Sequence, residues 1–359
     1  MIYIMLGFRR NVFIIDEKLK KLNELGFEFR KAKNEDEKDN IENELKEILS
    51  ELKKEAILKF KDESDIKKFL DNTINFNNYS FNNQMLIWVQ RPNAEYVTSF
   101  KTIKDMGYML NKDSKGIKIF IPNFYNIVKI KIEDEKYVCK PYFLLNDEEK
   151  KKYKDKNDDS ITFFKQKLSG FSLGHVFDVK DTTIPMDIID AELNPVINDK
   201  RAEDIMDCFI KTIYNDGFKV EFKEIFGGAK SYCDHSNLTI VVKTGLGSLM
   251  QLKVLIHEYA HELAHKHLEN NKRDYHEHRN QYETEAESIA YVVSKYLDMS
   301  PSDYSLSYLY AWSKEKDFKE IDESLNTIVN YSKRIINNFE KFYDREFGLY
   351  AESKESFSI

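Results

Sequence analysis

One segment constrains this chain more than any other, because it carries the same metal-binding pattern twice. Residues 255–267 read LIHEYAHELAHKH, in which H-E-x-x-H first occurs as His257, Glu258 and His261 and then repeats four residues later. Two histidines at that spacing lie on one face of a helix and can aim ring nitrogens at an ion about 2 Å away. The glutamate between them lies about 100° around the helix, where it can reach water on that ion. The segment therefore predicts a helix that holds a divalent metal.

The apolar residues of this helix favour the first of the two frames. On a helical wheel with His257 at zero, most of them cluster at about 200–300°, and His257 and His261 lie on the shoulder of that face. His265 lies further toward solvent, so we interpret His265 and His267 as surface residues or as residues that support the ligands. Because a metal site must be partly buried to hold its geometry, we predict His257 and His261 as ligands and Glu258 as the general base.

A third ligand is expected on a later helix, in the segment YETEAESIAYVVSKYL. Glu283 and Glu287 are four apart there and share a helix face beside an apolar face. Glu283 can complete the metal site, and Glu287 can accept a hydrogen bond from the free ring nitrogen of a ligating histidine. Glu285 is a weaker candidate, and His276 and His278 in the preceding loop DYHEHRNQ remain rivals for the third position.

Two imidazoles and a carboxylate form a ligand set that suits catalytic zinc, which keeps one position open for water. Such an ion lowers the pKa of its water and polarises a carbonyl, while Glu258 transfers the proton. The upstream segment GGAKSYCDHSNLTIVV predicts a glycine-rich turn and then a strand, which could pair with an extended peptide substrate. Tyr232 or His235 could then assist the oxyanion.

Hydrophobic periodicity predicts an α+β chain with three consecutive regions. These are a helical N-terminal region at 1–64, an α+β domain at 65–162, and a domain with a C-terminal helix at 163–359. Helices are predicted within 16–70 and at 201–216, 246–268, 280–297 and 317–343. Strands are predicted at 115–122, 126–132, 136–145, 218–222 and 238–242, and residues 147–159 are predicted to be a charged surface loop or linker.

Cysteine content, apolar stretches and net charge indicate in which compartment the protein is expected and which partners it can have. The three cysteines are far apart and odd in number, so we expect no disulfide framework. The N-terminal residues do not have the pattern of a signal peptide, and no stretch approaches the ~20 apolar residues that cross a bilayer. We therefore predict a cytoplasmic protein without a membrane partner. The net charge of −7 argues against a protein that is basic all over, although a local basic face remains compatible with it.

A basic and aromatic segment stands out at 79–122, within this acidic chain. Basic side chains can follow phosphates, and aromatic rings can stack on unpaired bases, although aromatic residues at such spacing are also typical of a core. The candidates for contact with single-stranded DNA are Tyr79, Trp88, Arg91, Lys101, Lys104, Lys112, Lys115 and Lys118.

Taken together, the segments resemble the ArdC-like antirestriction proteins of plasmids and other mobile elements. The resemblance rests on YSFNNQMLIWVQRPNAEYVTSF, GFSLGHVFDV, GGAKSYCDHSNLTIVV, LIHEYAHELAH and YETEAESIAYVV, in that order. It implies an N-terminal domain that binds single-stranded DNA and a C-terminal zincin-like metallopeptidase domain similar to that of the ImmA/IrrE endopeptidases. Carried onto this chain, it implies His257, His261 and Glu283 as zinc ligands and Glu258 as the catalytic glutamate.

More than one function fits these observations. The first is a zinc metallopeptidase with a single-stranded DNA-binding domain, acting on a protein or peptide substrate in antirestriction or in the protection of transferred DNA. The second is a non-proteolytic DNA-binding antirestriction module with a structural zinc site, and the third is a regulatory peptidase that cleaves a repressor. The presence of Glu258 favours a catalytic metal site over a structural one, because a structural site needs no general base.

Overall fold

The computed structural model describes residues 2–32, 35–133, 136–155, 158–185, 199–265, 272–299 and 307–347. The chain forms two compact units, and each is built from two separate segments. The first comprises Met1–Leu52 and Lys118–His175, and the second comprises Lys53–Ile117 and Val176–Ile359. Both units combine helices with strands, which confirms the predicted mixture of the two.

The helices are α1 (Ile2–Lys31), α2 (Glu35–Ile57), α3 (Glu63–Asn75), α4 (Phe81–Gln90), α5 (Phe100–Asp105), α6 (Asp147–Lys154), α7 (Asp199–Asn215), α8 (Ser248–His265), α9 (Lys272–Tyr296), α10 (Ser307–Lys314) and α11 (Phe318–Phe347). The strands are β1 (Val97–Ser99), β2 (Ile117–Glu133), β3 (Lys136–Pro141), β4 (Ile161–Asp178), β5 (Lys219–Lys223), β6 (Ser231–Asp234) and β7 (Thr239–Lys243). No helix in these described ranges is long and apolar enough to cross a membrane.

In the first unit, α1 and the first part of α2 run antiparallel. Lys18 lies 3.2 Å from Glu51, and Lys21 lies 3.6 Å from Glu44, so the residue numbers rise along one helix as they fall along the other. Half-exposed ion pairs of this kind contribute only ~0–1 kcal/mol each. The leucines of α1 that lie at helical spacing, such as Leu22, are fully buried. Burial of each of these side chains stabilises the fold by about 1.5–3 kcal/mol, which is more than an ion pair contributes.

The sheet of the first unit places β2 between β4 and β3. The two strands predicted at 115–122 and 126–132 form the single long strand β2, which pairs antiparallel with β3. A small core of Val128, Leu145 and Ile161 lies on one face. Gly170 has a φ of +133°, and a Cβ there would approach the Phe29 ring to 3.1 Å, so this position favours glycine.

The prediction of a charged loop or linker at 147–159 is wrong for residues 147–154, which form α6. Asn146 and Glu149 form a reciprocal capping box at its N-terminus, and acidic residues occupy its first turn. Acidic residues at the start of a helix and lysines at its end both stabilise the helix, because their charges interact favourably with the helix dipole. A segment with no apolar stripe can therefore still be helical.

In the second unit, a three-stranded sheet has the order β5-β7-β6, with β5 parallel and β6 antiparallel to β7. Helix α8 packs on β6 and β7 and also on α9, which in turn packs on α11. Tyr259 anchors α8 in this arrangement: its ring contacts Phe209 and Phe218 edge-on, and its hydroxyl donates to Asp216 at 2.8 Å. Because Tyr259 is fully buried, it sets the rotation of the histidine-bearing helix.

The units do not follow the three consecutive regions that the sequence suggested. Strand β4 runs from Ile161 to Asp178 and so crosses the boundary placed at residue 163. Its last residues, Val176–Asp178, pair with β1 inside the second unit. A long strand can contribute to two units at once, and a composition change at its start does not mark where either unit ends.

Candidate metal centre

Helices α8 and α9 bring two histidines and a glutamate together. His261 Nε2 lies 3.3 Å from Glu283 Oε2, and His257 Nε2 lies 3.7 Å from the same oxygen. One ligand atom from each of the three lies within 4.8 Å of the other two. Ligands bound ~2.1 Å from a tetrahedral zinc are about 3.4 Å apart, so the spacing of these atoms suits a single divalent ion. The three side chains that the sequence singled out therefore do converge.

Glu287 supports one of these histidines from the other side of its ring. Its Oε2 lies 3.2 Å from His257 Nδ1, so Nε2 is the nitrogen turned toward Glu283. A carboxylate on the second ring nitrogen fixes the tautomer and the orientation of a metal-binding histidine. The geometry places Glu287 where the sequence suggested, one helical turn beyond Glu283.

The electrostatics of the group favour ionised carboxylates beside the rings. Burial by itself would lower the pKa of His257, but the hydrogen bond to Glu287 and the charges of Glu258, Glu287 and Glu283 outweigh it and raise that pKa. The hydrogen bond with His261 lowers the pKa of Glu283, against the opposing effect of burial. The three carboxylates together create a negative environment that would attract a cation.

Glu258 lies on the flank of α8 that faces β6. The Ser231 hydroxyl donates to Glu258 Oε1 at 2.8 Å. Among the described residues, β6 lies at an edge of its sheet, so the residue that touches the glutamate begins an edge strand. Sequence reasoning missed Ser231, although it lies in the segment GGAKSYCDHSNLTIVV, where Tyr232 was preferred.

The two oxyanion candidates occupy different surroundings. Tyr232 is 45% exposed on β6, next to Ser231. His235 Nδ1 lies 2.9 Å from Glu262 Oε1, which directs this ring to a carboxylate of the second frame. Neither residue has a described contact with His257, His261 or Glu283, so their assistance to an oxyanion stays a prediction.

The interpretation of His265 as a surface residue is wrong. His265 is buried, its Nε2 lies 3.5 Å from Glu285 Oε2, and its ring lies 4.6 Å from that of Tyr282. Burial raises the pKa of Glu285 to about 7, although Ser324 and Gln281 donate to its Oε1 at 2.5 Å and 2.9 Å. Glu285, the weaker ligand candidate, therefore takes part in a buried polar network beside α11.

The rival histidine ligands lie in or near the start of α9. The segment DYHEHRNQ is helical and not a loop, because α9 begins at Lys272. The His278 ring lies 6.1 Å from that of Tyr282, on the same helix. The His276 side chain lies outside the described part of the structure, as does residue His267.

Two of the DNA-binding candidates are buried, and a third forms ion pairs within the protein. Tyr79 and Trp88 are buried, so their rings are not available to stack on bases. Arg91 Nε lies 3.1 Å from the buried Asp178, and its guanidinium also forms an ion pair with Asp181. The remaining candidates are accessible: Lys101, Lys104, Lys112 and Lys115 are exposed in the second unit, and Lys118 is half-buried in the first.

Comparison with known proteins matches part of this chain to a family model. Residues 35–177 match the model of the N-terminal domain of anti-restriction factor ArdC. An uncharacterized protein of Bacillus anthracis, pXO2-81, is 28% identical over 318 residues, which cover 85% of this chain and 52% of that protein. The chain therefore spans about half the length of the curated relative that it matches.

Two crystal structures of the antirestriction ArdC protein from the R388 plasmid are also similar. The metal-free structure has a TM-score of 0.39 and 14% identity, and the match covers 73% of this chain and 86% of that one. The Mn(II)-bound structure has a TM-score of 0.40 and 15% identity, with coverages of 74% and 85%. The family model confirms, over residues 35–177, the resemblance on which the sequence interpretation rested: this part of the chain matches the N-terminal domain of the ArdC anti-restriction family.

Proposed function

We propose that this chain is a zinc-dependent peptidase with a zincin-like second unit, and that it acts in antirestriction or in the protection of transferred DNA. The observation that carries the proposal is the approach of His257 and His261 to Glu283, with Glu258 on the adjacent flank of the same helix. A metal site that is only structural needs no general base, so the presence of Glu258 supports hydrolysis. The antirestriction role is supported by the match of residues 35–177 to the N-terminal domain of anti-restriction factor ArdC.

In this proposal, His257, His261 and Glu283 would hold the ion, and Glu287 would orient the His257 ring. A divalent ion bound there lowers the pKa of water toward neutrality and polarises a peptide carbonyl. Glu258 accepts the proton of the attacking water and passes it to the leaving amine. The hydrogen bond from Ser231 holds the carboxylate in place between these two transfers.

The substrate of the proposed peptidase is an extended segment of a protein. Strand β6 presents one backbone edge, and its first residue, Ser231, contacts Glu258. A peptide that pairs with this edge would run past the general base, and backbone hydrogen bonds would hold it with little demand on its side chains. Tyr232, which is partly exposed on the same strand, is the remaining candidate for a donor to the oxyanion.

The test is Glu258→Gln, assayed both for cleavage of a quenched peptide library and for protection of DNA transferred into a restricting host. Loss of the general base should lower cleavage by roughly 10²–10⁴-fold while leaving metal content unchanged. Glu323→Gln, on an exposed face of α11, is the matched control and should behave as wild type. Full DNA protection by Glu258→Gln, with no cleavage by either protein, would support the non-proteolytic DNA-binding module instead.

We further propose that the first unit binds single-stranded DNA through one face of its sheet. Lys129 Nζ lies 4.5 Å from the centre of the Phe164 ring and 5.7 Å from that of Tyr137. Both rings are about half exposed, and Lys131 lies opposite Tyr137 across β2 and β3. Accessible rings beside lysines can stack on bases and follow phosphates, which the buried Tyr79 and Trp88 cannot do.

The test of this surface is single-stranded oligonucleotide binding by Tyr137→Ala combined with Phe164→Ala. Stacking on aromatic rings contributes ~1–3 kcal/mol per base, so the double variant should bind about tenfold or more weakly. Lys129→Glu should weaken binding and reduce its dependence on salt. Phe226→Ala, which removes a fully exposed ring from the second unit, is the control. Unchanged affinity in the double variant would exclude this face.

A further inference from the structure

A second group of metal-ligand side chains lies on the other flank of α8. Cys233, His235 and Glu262 each place one ligand atom within 4.8 Å of the other two. Cys233 lies on β6, and His235 follows it by two residues, at the start of the turn after the strand. Glu262 belongs to the second H-E-x-x-H frame, which the proposed peptidase site does not use.

Glu262 is the residue that points to a ligand. Its side chain is only 1% exposed, and its Oε1 lies 2.9 Å from His235 Nδ1. Within the described part of the chain, its Oε2 is buried and has no hydrogen-bond partner. A buried carboxylate oxygen without a partner costs a protein free energy, and the half-exposed His235 satisfies only the other oxygen. A cation among the three side chains would satisfy both.

We propose that Cys233, His235 and Glu262 bind a second divalent ion, which holds β6 against α8. Sulfur, nitrogen and oxygen ligands in one group suit Zn²⁺, and Co²⁺ as its probe, rather than Mg²⁺ or Ca²⁺. Three protein ligands leave one position for solvent, on the side where His235 is half exposed. Because Ser231 is two residues before Cys233 and contacts Glu258, an ion here would also fix the strand that touches the general base.

This second group is separate from the His257, His261 and Glu283 group. The two share no residue, and Glu262 lies about 100° around α8 from His261. His261 faces Glu283 on α9, whereas Glu262 faces His235 after β6. The second ion therefore does not depend on whether the first group binds metal or catalyses hydrolysis.

The experiment is titration of the tag-free, metal-depleted full chain with Co²⁺, followed by absorption and by equilibrium dialysis. Only the second group contains a thiolate, so it alone should give a thiolate-to-cobalt charge-transfer band. That band should disappear in His235→Ala and in Glu262→Gln but persist in His257→Ala. Cys139→Ala removes an exposed cysteine from the first unit and is the control that should keep the band.

Dialysis should find an ion for each of the two groups in wild type and one fewer in His235→Ala. If the first group fails to bind, wild type should hold a single ion that His235→Ala removes and His257→Ala leaves. Absence of the charge-transfer band in wild type, or its loss in Cys139→Ala alone, would overturn the proposal. His235 is about half exposed, so His235→Ala decides the matter even if Glu262→Gln does not fold.

Discussion

Glu287 Oε2 lies 3.2 Å from Nδ1 of His257, while Nε2 of the same ring faces Glu283 Oε2 at 3.7 Å. The two glutamates are one turn apart on α9 and hold opposite edges of one imidazole. In the neutral ring, a proton on Nδ1 would face Glu287 and leave Nε2 free to bind a metal.

Replacing Glu287 should therefore weaken metal binding without removing a ligand. Loss of such a supporting carboxylate typically lowers metal affinity 10–100-fold, and we expect Glu287→Gln to fall at the lower end because an amide oxygen can still accept the hydrogen bond. Competition with a chromophoric chelator measures the affinity. Glu283→Ala, which removes a ligand, should bind far more weakly than Glu287→Gln, and equal affinities would contradict these assignments.

Removing the metal should destabilise the folded protein. An ion at 100 times its dissociation constant stabilises the native state by about 2.7 kcal/mol, so a chelator should lower the melting temperature measured by circular dichroism. His235→Ala isolates the first group from the proposed second one, and the chelator should still lower its melting temperature. Adding Glu283→Ala to that variant should abolish the chelator effect; persistence of the effect would place the ion elsewhere.

The buried Glu285 should make the stability of the metal-free protein depend on pH. Burial raises its pKa to about 7, so the native state binds a proton that the unfolded state has released above its ordinary pKa near 4.5. Stability from this group is thus present below about pH 4.5 and falls by up to roughly 3 kcal/mol as the pH rises to about 7. Urea unfolding of Glu285→Gln and wild type from pH 5 to 8 checks this, since the difference between them should change in favour of the variant as pH rises.

We expect Arg91 to contribute to the stability of the fold and not to the affinity for DNA. It lies 3.1 Å from Asp178, which is 1% exposed, and it also pairs with Asp181. Removing the partner of a buried charge costs ~3–5 kcal/mol, and the partial exposure of Arg91 argues for the lower end or less. Denaturant unfolding of Arg91→Ala measures the loss, with Arg91→Lys as an intermediate. A large loss of DNA affinity at unchanged stability would instead restore Arg91 as a DNA contact.

Local spacing paired the residues of the metal group within each helix, and the resemblance to the ArdC-like proteins joined the two pairs. Residues four apart on a helix share a face whatever surrounds them, so His257 with His261, and Glu283 with Glu287, could be paired from the sequence. A local signal also existed for α6, where Asn146 and Glu149 form a capping box, but the charge of the segment obscured it. The residue pairs and the capping box can be predicted from the sequence because each depends only on the geometry of a single helix.

Apart from the meeting of Glu283 with the two histidines, the contacts between neighbouring elements needed the tertiary structure. The helical wheel placed His265 toward solvent, but α9 covers that side and sets Glu285 against it. Only the packing of β6 on α8 brings Ser231 to Glu258 and Glu262 to His235, across many residues of intervening chain. The sequence by itself determined which side chains share a helix face, because the backbone repeat is local. Which faces are buried, and against what, was decided by packing between elements that are distant along the chain.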